Sequence, residues 1–287
     1  SKFTFKNSRL LNRKPIGDIE VIKNFKYEDA ISYYKKWYQP ERMGLFIIGE
    51  IESEEIKDLI QKYFGGFKNT EKTTDPDYKV PDFNENLFFS YQDPLEENIR
   101  FSIWNKDDFK KVNTIKNYQH AIVGHLAQNI YYRRIQELNE LNQSAFRNSF
   151  IYEDQISDLD MYYLFSVILK QNSILQGIED ALAVAEQIKR YGFLKSEFDL
   201  AKKRHLDRLY QALTEENTRS SEDFIDEYIY HFIYDEMITG LAKEIEYTEE
   251  IFKSISIEDL NNYFKNYLSS NNRLISIVAP DFITDLP

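Results

Sequence analysis

The sequence predicts an α+β fold, mainly an antiparallel sheet packed against helices, and three observations carry that prediction. Residues 142–172 alternate apolar and polar positions in places and read as a pair of long antiparallel strands. The second of them, 161–169 (Met-Tyr-Tyr-Leu-Phe-Ser-Val-Ile-Leu), is rich in aromatic and β-branched residues that suit a pleated surface. Just before the pair, Ile115, Tyr118, Ile122, Leu126 and Ile130 trace one face of a helix over 114–141. At a rise of about 1.5 Å per residue that helix crosses most of a small domain. After the pair, the last third is helical, with legible helix starts.

Taken in order, Ala30, Tyr33, Tyr34 and Trp37 place a helix over 27–38, which Pro40 stops because proline disfavours the α region for its predecessor. The apolar run 43–48 predicts a strand buried on both faces. Ile56, Leu59, Ile60, Tyr63 and Phe64 mark a second helix, closed by Gly65-Gly66. Residues 69–84 are polar, carry Pro76 and Pro81, lack periodicity and read as a linker. Strands follow over 87–91 and 98–104, with Asp93-Pro94 as a turn between them. In the last third, Ser173 with Gln176 predicts a capping box, because serine and glutamine at that spacing can satisfy each other's backbone N–H groups. Gly192 stops that helix. Ser196 with Asp199, Ser220 with Asp223 and Ser256 with Asp259 predict three more starts, aspartate suiting the positive helix end. Residues 273–279 close the chain's pattern with a strand. The helix–turn–strand unit 27–48 is echoed at 257–279, which suggests two similarly built domains joined by the linker, with chance recurrence of a common unit as the alternative.

At 287 residues the chain can bury a large core, to which 21 Phe and 21 Tyr contribute much of the volume. A net charge of −12 argues against a nucleic-acid surface, which needs a clustered basic excess. Without cysteine there is neither a disulfide framework nor a thiolate zinc site, and the compartment stays open. No apolar run is long enough to span a membrane, and Ser1-Lys2-Phe3-Thr4-Phe5 does not resemble a signal peptide.

The series Arg13-Lys14-Pro15-Ile16-Gly17, Lys36-Trp37-Tyr38-Gln39-Pro40-Glu41-Arg42-Met43 and Leu45-Phe46-Ile47-Ile48-Gly49 resembles the pitrilysin/insulinase family of zinc metallopeptidases, downstream of the zinc site. Thr218-Arg219-Ser220-Ser221, Asp226-Glu227-Tyr228, His231-Phe232 and Gly240 extend it, closest to the bacterial four-domain members of the coenzyme-PQQ-synthesis type. The resemblance implies a metallopeptidase half-domain fold. It divides the chain into 1–68, the C-terminal tail of a zinc-bearing first domain, the linker 69–84, and 85–287, a second, non-catalytic α/β domain. The family closes such domains around a chamber that holds an unfolded peptide. The expected role is therefore a non-catalytic wall of a zinc metalloendopeptidase, partnered by other domains of its parent and by unfolded peptide, in a periplasmic or secreted setting. Two alternatives stand beside it: a catalytically dead parent acting as a structural or processing partner, and a module that binds extended peptides.

The family's His-x-x-Glu-His motif is missing. None of His120, His125, His205 and His231 begins or ends such a pattern, so zinc is expected in the parent and no cofactor or catalytic residue in this chain. His120 and His125, five apart, diverge on a helix and make a poor metal pair. Adjacent acids such as Glu54-Glu55 and Asp107-Asp108 read as solvated faces. Arg133-Arg134 reads as surface salt bridging, with contact to a substrate's C-terminus or a partner carboxylate as the alternative. Arg219 and Tyr228 are the substrate-contact candidates, since an arginine with a tyrosine can hold peptide carbonyls. The competing reading is a helix N-terminus capped by Ser220, with Tyr228 packed. Residues 1–68, cut off from their domain, are expected to expose apolar surface and so to dock on a neighbour or on another copy.

Overall fold

The structure, a computed structural model, describes residues 3–13, 15–70, 72–83, 85–283 and 286, without the side chain of Asp223. Ser1, Lys2, Lys14 of the first family-like series, and Glu71 and Asn84 of the predicted linker lie outside the described residues. Strands β1 (Leu87–Asp93), β2 (Ile99–Asp108), β3 (Phe146–Gln155), β4 (Asp160–Leu169) and β5 (Arg273–Pro280) form one sheet in the order β1-β5-β2-β4-β3. All neighbours are antiparallel except β1 and β5. The fold is the mainly antiparallel α+β arrangement that the sequence predicts.

Helix α4 (Ile115–Glu140) starts where Thr114 accepts a hydrogen bond from the Asn117 N–H at 3.2 Å. It packs on β3 and on α9 (Ile257–Phe264), while α5 (Ile174–Tyr191) covers β3 and β4. A further layer pairs α6 (Lys195–Thr214) with α8 (Leu241–Ser254). The helix-facing side of the sheet supplies Ile99, Ile103, Phe165, Val167 and Ile277 to the core, all nearly inaccessible. β4 is buried on its other face too: Tyr162 stacks under Phe83, and its hydroxyl donates to the Thr4 carbonyl at 2.7 Å. That two-faced burial explains why the strand is almost uniformly aromatic and aliphatic.

The turn at Asp93-Pro94 does not make a hairpin. β5 inserts between β1 and β2, so residues 94–98 bridge two strand spacings, about 10 Å. Of the helix starts, Ser256 and Asp259 cap α9 reciprocally, with the Ser256 N–H donating to Asp259 at 2.7 Å. The other expected boxes fare differently. Ser173 instead donates to the Ala145 carbonyl at 2.8 Å, and Gln176 donates to Asp180, because the incoming β3 strand offers a nearer acceptor. α6 begins two residues early, its Leu194 N–H taken by Glu197 at 2.7 Å, while Asp199 pairs with Lys195. α7 (Ser221–Tyr234) begins beside Ser220 as expected. Gly192 closes α5 at φ +77°, a left-handed position that favours glycine.

The first 68 residues hold α1 (Ile19–Asn24), α2 (Tyr27–Trp37) and α3 (Ser53–Phe64), none with a buried residue. The predicted strand over 43–48 does not form: the segment has no strand pairing, with Met43 and Leu45 half exposed. A strand requires a partner for its backbone groups, and none of the five strands lies beside it. The described residues of 69–84 lack regular structure. Its end is nonetheless anchored: the Val80 N–H donates to Asp160 at 2.8 Å and the Phe83 N–H to Asn272 at 2.6 Å. Among the described residues, no helix is long and apolar enough to cross a membrane.

Candidate functional site

Arg219 and Tyr228 lie at and on α7. The Arg219 guanidinium stands 4.2 Å over the Phe224 ring, a cation–π contact that fixes it ahead of the helix. Tyr228 is half-buried and lies about 10 Å further along the axis than Ser221. α7 leaves much of its apolar side open: Tyr230, Phe232 and Ile233 are each about half exposed. It is tied down by Phe232 edge-on to Phe46 of the tail (5.9 Å), Tyr234 against Phe109 (6.0 Å), and the Met237 N–H donating to Val112 (3.1 Å). Thus the unpaired run 43–48 and the aromatic side of α7 meet, and both remain largely open.

The histidines divide into separate environments. His120 on α4 sits 3.3 Å from the Tyr163 hydroxyl and tilts against the Tyr263 ring. His125, one and a half turns on, faces α6, where its ring lies edge-on to His205 at 5.2 Å. Burial, then the neighbouring His125 and the Arg208 guanidinium, push the His205 imidazole down to about 4. His125 is lowered as well, by burial and by Arg208. His231 is exposed on α7 and bonds the Glu236 carbonyl. The His125–His205 meeting spans two helices and could not be read from spacing along either one.

These groups do not fit zinc. Among the described residues, no group of three or more histidines and carboxylates is placed to hold a metal, and the third group beside His125 and His205 is the cationic Arg208.

A second polar cluster surrounds Glu153 on β3. The Tyr263 and Tyr267 hydroxyls both donate to its carboxylate, and Gln128 donates to the Tyr267 hydroxyl at 3.1 Å. Part of the Glu153 side chain reaches solvent, but lost hydration at the carboxyl outweighs those bonds and raises its pKa. Gly124 lets α4 approach, since a Cβ there would come within 2.6 Å of the Tyr263 ring. This cluster ties β3, α4 and α9 together. Of the two arginines on α4, Arg134 makes a two-pronged bond to Glu197 at 2.6 Å and Arg133 approaches Glu137 at 3.6 Å.

A family model described as the peptidase M16 inactive domain matches residues 24–204. The chain is similar to a probable zinc protease PqqL of Haemophilus influenzae, 22% identical over 279 residues, which are 95% of this chain and 30% of that protein. It is likewise similar to a zinc protease PQQL-like of Arabidopsis thaliana, 22% identical over 275 residues, 95% of this chain and 26% of that protein. Among solved structures, the periplasmic protease PqqL from Escherichia coli superposes with a TM-score of 0.89 at 16% identity, over 96% of this chain and 31% of that one. The first half of the same protease gives 0.90 over 98% and 60%. The chain therefore spans about a third or less of the curated relatives it matches along most of its length.

Proposed function

The chain belongs to the peptidase M16 inactive-domain family, and on that premise we propose that it forms a non-catalytic wall of the substrate chamber of a larger zinc metalloendopeptidase. Residues 1–68 are the C-terminal tail of the zinc-bearing first domain, 69–84 the linker, and 85–287 the second domain. The observation that carries this reading is the unpaired apolar run 43–48 resting against the open aromatic side of α7. A strand whose hydrogen-bonding groups have no partner calls for a sheet that the rest of the first domain would supply. Those other domains are the principal partner. In the isolated chain, a second copy joined through residues 1–68 is the substitute cover.

Zinc and the water it activates belong to the parent's first domain; this chain contributes shape and contacts. Arg219, held over Phe224 just ahead of α7, and Tyr228 on α7, the helix whose Phe232 touches Phe46, are the residues we assign to hold peptide backbone carbonyls of an unfolded substrate. A periplasmic or secreted location follows the relative from Escherichia coli.

The test compares the full-length parent with residues 1–287 alone on unstructured peptides. The parent is expected to cleave in a manner abolished by EDTA and restored by zinc, and the chain alone to cleave nothing. EDTA-sensitive cleavage by the chain alone would overturn the assignment. A folded parent with no activity would instead make it a structural or processing partner.

A further inference from the structure

A cleft of about 630 Å³ runs between α4 and α6, floored by Ile130 and Ala201 and flanked by Tyr132 and Leu194. Four of the chain's twelve arginines line it (Arg133, Arg134, Arg204 and Arg208), although the chain as a whole carries a net charge of −12. Its acids are already engaged: Glu197 by Arg134, Glu137 by Arg133, and Asp207 by Lys203 at 2.7 Å. Arg204 and Arg208 have no carboxylate within ion-pair distance among the described residues. They stand one turn apart on α6, so their side chains share a face. Arg208 is pre-positioned, donating to the Arg204 carbonyl at 3.3 Å and lying 3.4 Å from His125 Nε2. Those bonds occupy two of its five donors.

We propose that this cleft binds a compact organic anion, a carboxylate or phosphate group on an apolar body, with Arg204 and Arg208 holding the anionic group and the Ile130–Ala201 floor taking the body. The volume is in the range of small-molecule sites. Guanidinium forks suit the planar or tetrahedral oxygens of such groups, two donors at a time. An extended peptide is disfavoured because the flanking helices have spent their backbone groups internally and offer no main-chain register. The site is independent of the peptidase reading, since it uses neither α7 nor the tail.

The experiment titrates residues 1–287 with phenyl phosphate, benzoate and the neutral benzyl alcohol, by calorimetry at low salt. At least one anion is expected to saturate with a Kd of about 1 mM or tighter, and which of the two does so distinguishes phosphate from carboxylate. The Arg204→Ala/Arg208→Ala variant is expected to bind at least about tenfold more weakly, a change of about 1.4 kcal/mol. Lys243→Ala on α8, remote from the cleft, leaves binding unchanged. Because both arginines are exposed, the double variant should keep its fold, which circular dichroism checks. As a second readout, the bound anion should raise the His125 pKa in NMR titrations by offsetting the Arg208 charge. Absence of saturation below about 10 mM, equal binding by the double variant, or equal binding of benzyl alcohol would each overturn the proposal.

Discussion

Asp160 shows how much one side chain decides here. It is fully buried, 2.9 Å from the buried Lys106 ammonium, and it also accepts the Val80 N–H that anchors the end of 69–84. Burial alone would lower the Lys106 pKa, but its bonds to Asp82 and Asp160 outweigh that and leave it raised. Removing Asp160 leaves the buried ammonium only the exposed Asp82 as counter-charge and orphans the Val80 N–H. Asp160→Ala should therefore cost about 3–5 kcal/mol in urea denaturation, and adding Lys106→Met should recover part of it. His205 sets a pH dependence. Its folded pKa of about 4 lies below the unfolded value of about 6.5, so the unfolded chain takes up the proton first. Stability should be complete above pH 6.5, fall by at most about 3 kcal/mol as pH drops toward 4, less where solvent screens the partly exposed ring, and level off below. A matching fall in His205→Gln would assign the slope to other groups. In the sequence, Asp160 and His205 looked ordinary, because their partners come from distant elements.

Among the elements, α4 sets local propensity against packing. Alanine is about 1 kcal/mol better than glycine inside a helix, yet a methyl at Gly124 would strike the Tyr263 ring, which is pinned by Tyr163 and Glu153. Overpacking of this kind costs about 1–3 kcal/mol, so Gly124→Ala should lower the melting temperature; a rise would mean the ring can move aside. The face of α4 was legible because Ile122, Leu126 and Ile130 are buried at their helical spacing. The β3–β4 pair was legible for the same reason, pattern and burial coinciding. α8 escaped notice because one of its buried positions is Thr248, whose hydroxyl meets Tyr118 at 3.1 Å, so the apolar stripe is broken in the sequence. α1 is one short turn and a half with no buried face to leave a pattern. Sheet order was also hidden, since nothing within β1 or β2 announces that β5 will separate them. The α4–α6 cleft needed both helices in place before Arg204 and Arg208 could be seen to lack acids.

For the molecule as a whole, the division at the linker makes a prediction about backbone protection. Residues 87–280 share one core, whereas α2 and α3, of 11 and 12 residues, bury nothing. Isolated helices shorter than about 12–15 residues are marginal in water, because nucleation is costly and few bonds follow to offset it. The 43–48 backbone has no ladder at all. In hydrogen exchange of the isolated chain at low concentration, amides of 27–37, 43–48 and 53–64 should therefore exchange close to their intrinsic rates. Those of β4, flanked by β2 and β3, should be protected nearly to the limit of global unfolding. In a longer parent that supplies the proposed remaining first-domain strands, 43–48 should become protected as strictly as β4. Protection of 43–48 that appears in the isolated chain only as concentration rises would identify a second copy as the substitute cover. Protection absent even in the parent would mean that this segment belongs to no sheet, and the assignment of 1–68 to a first domain would fall with it.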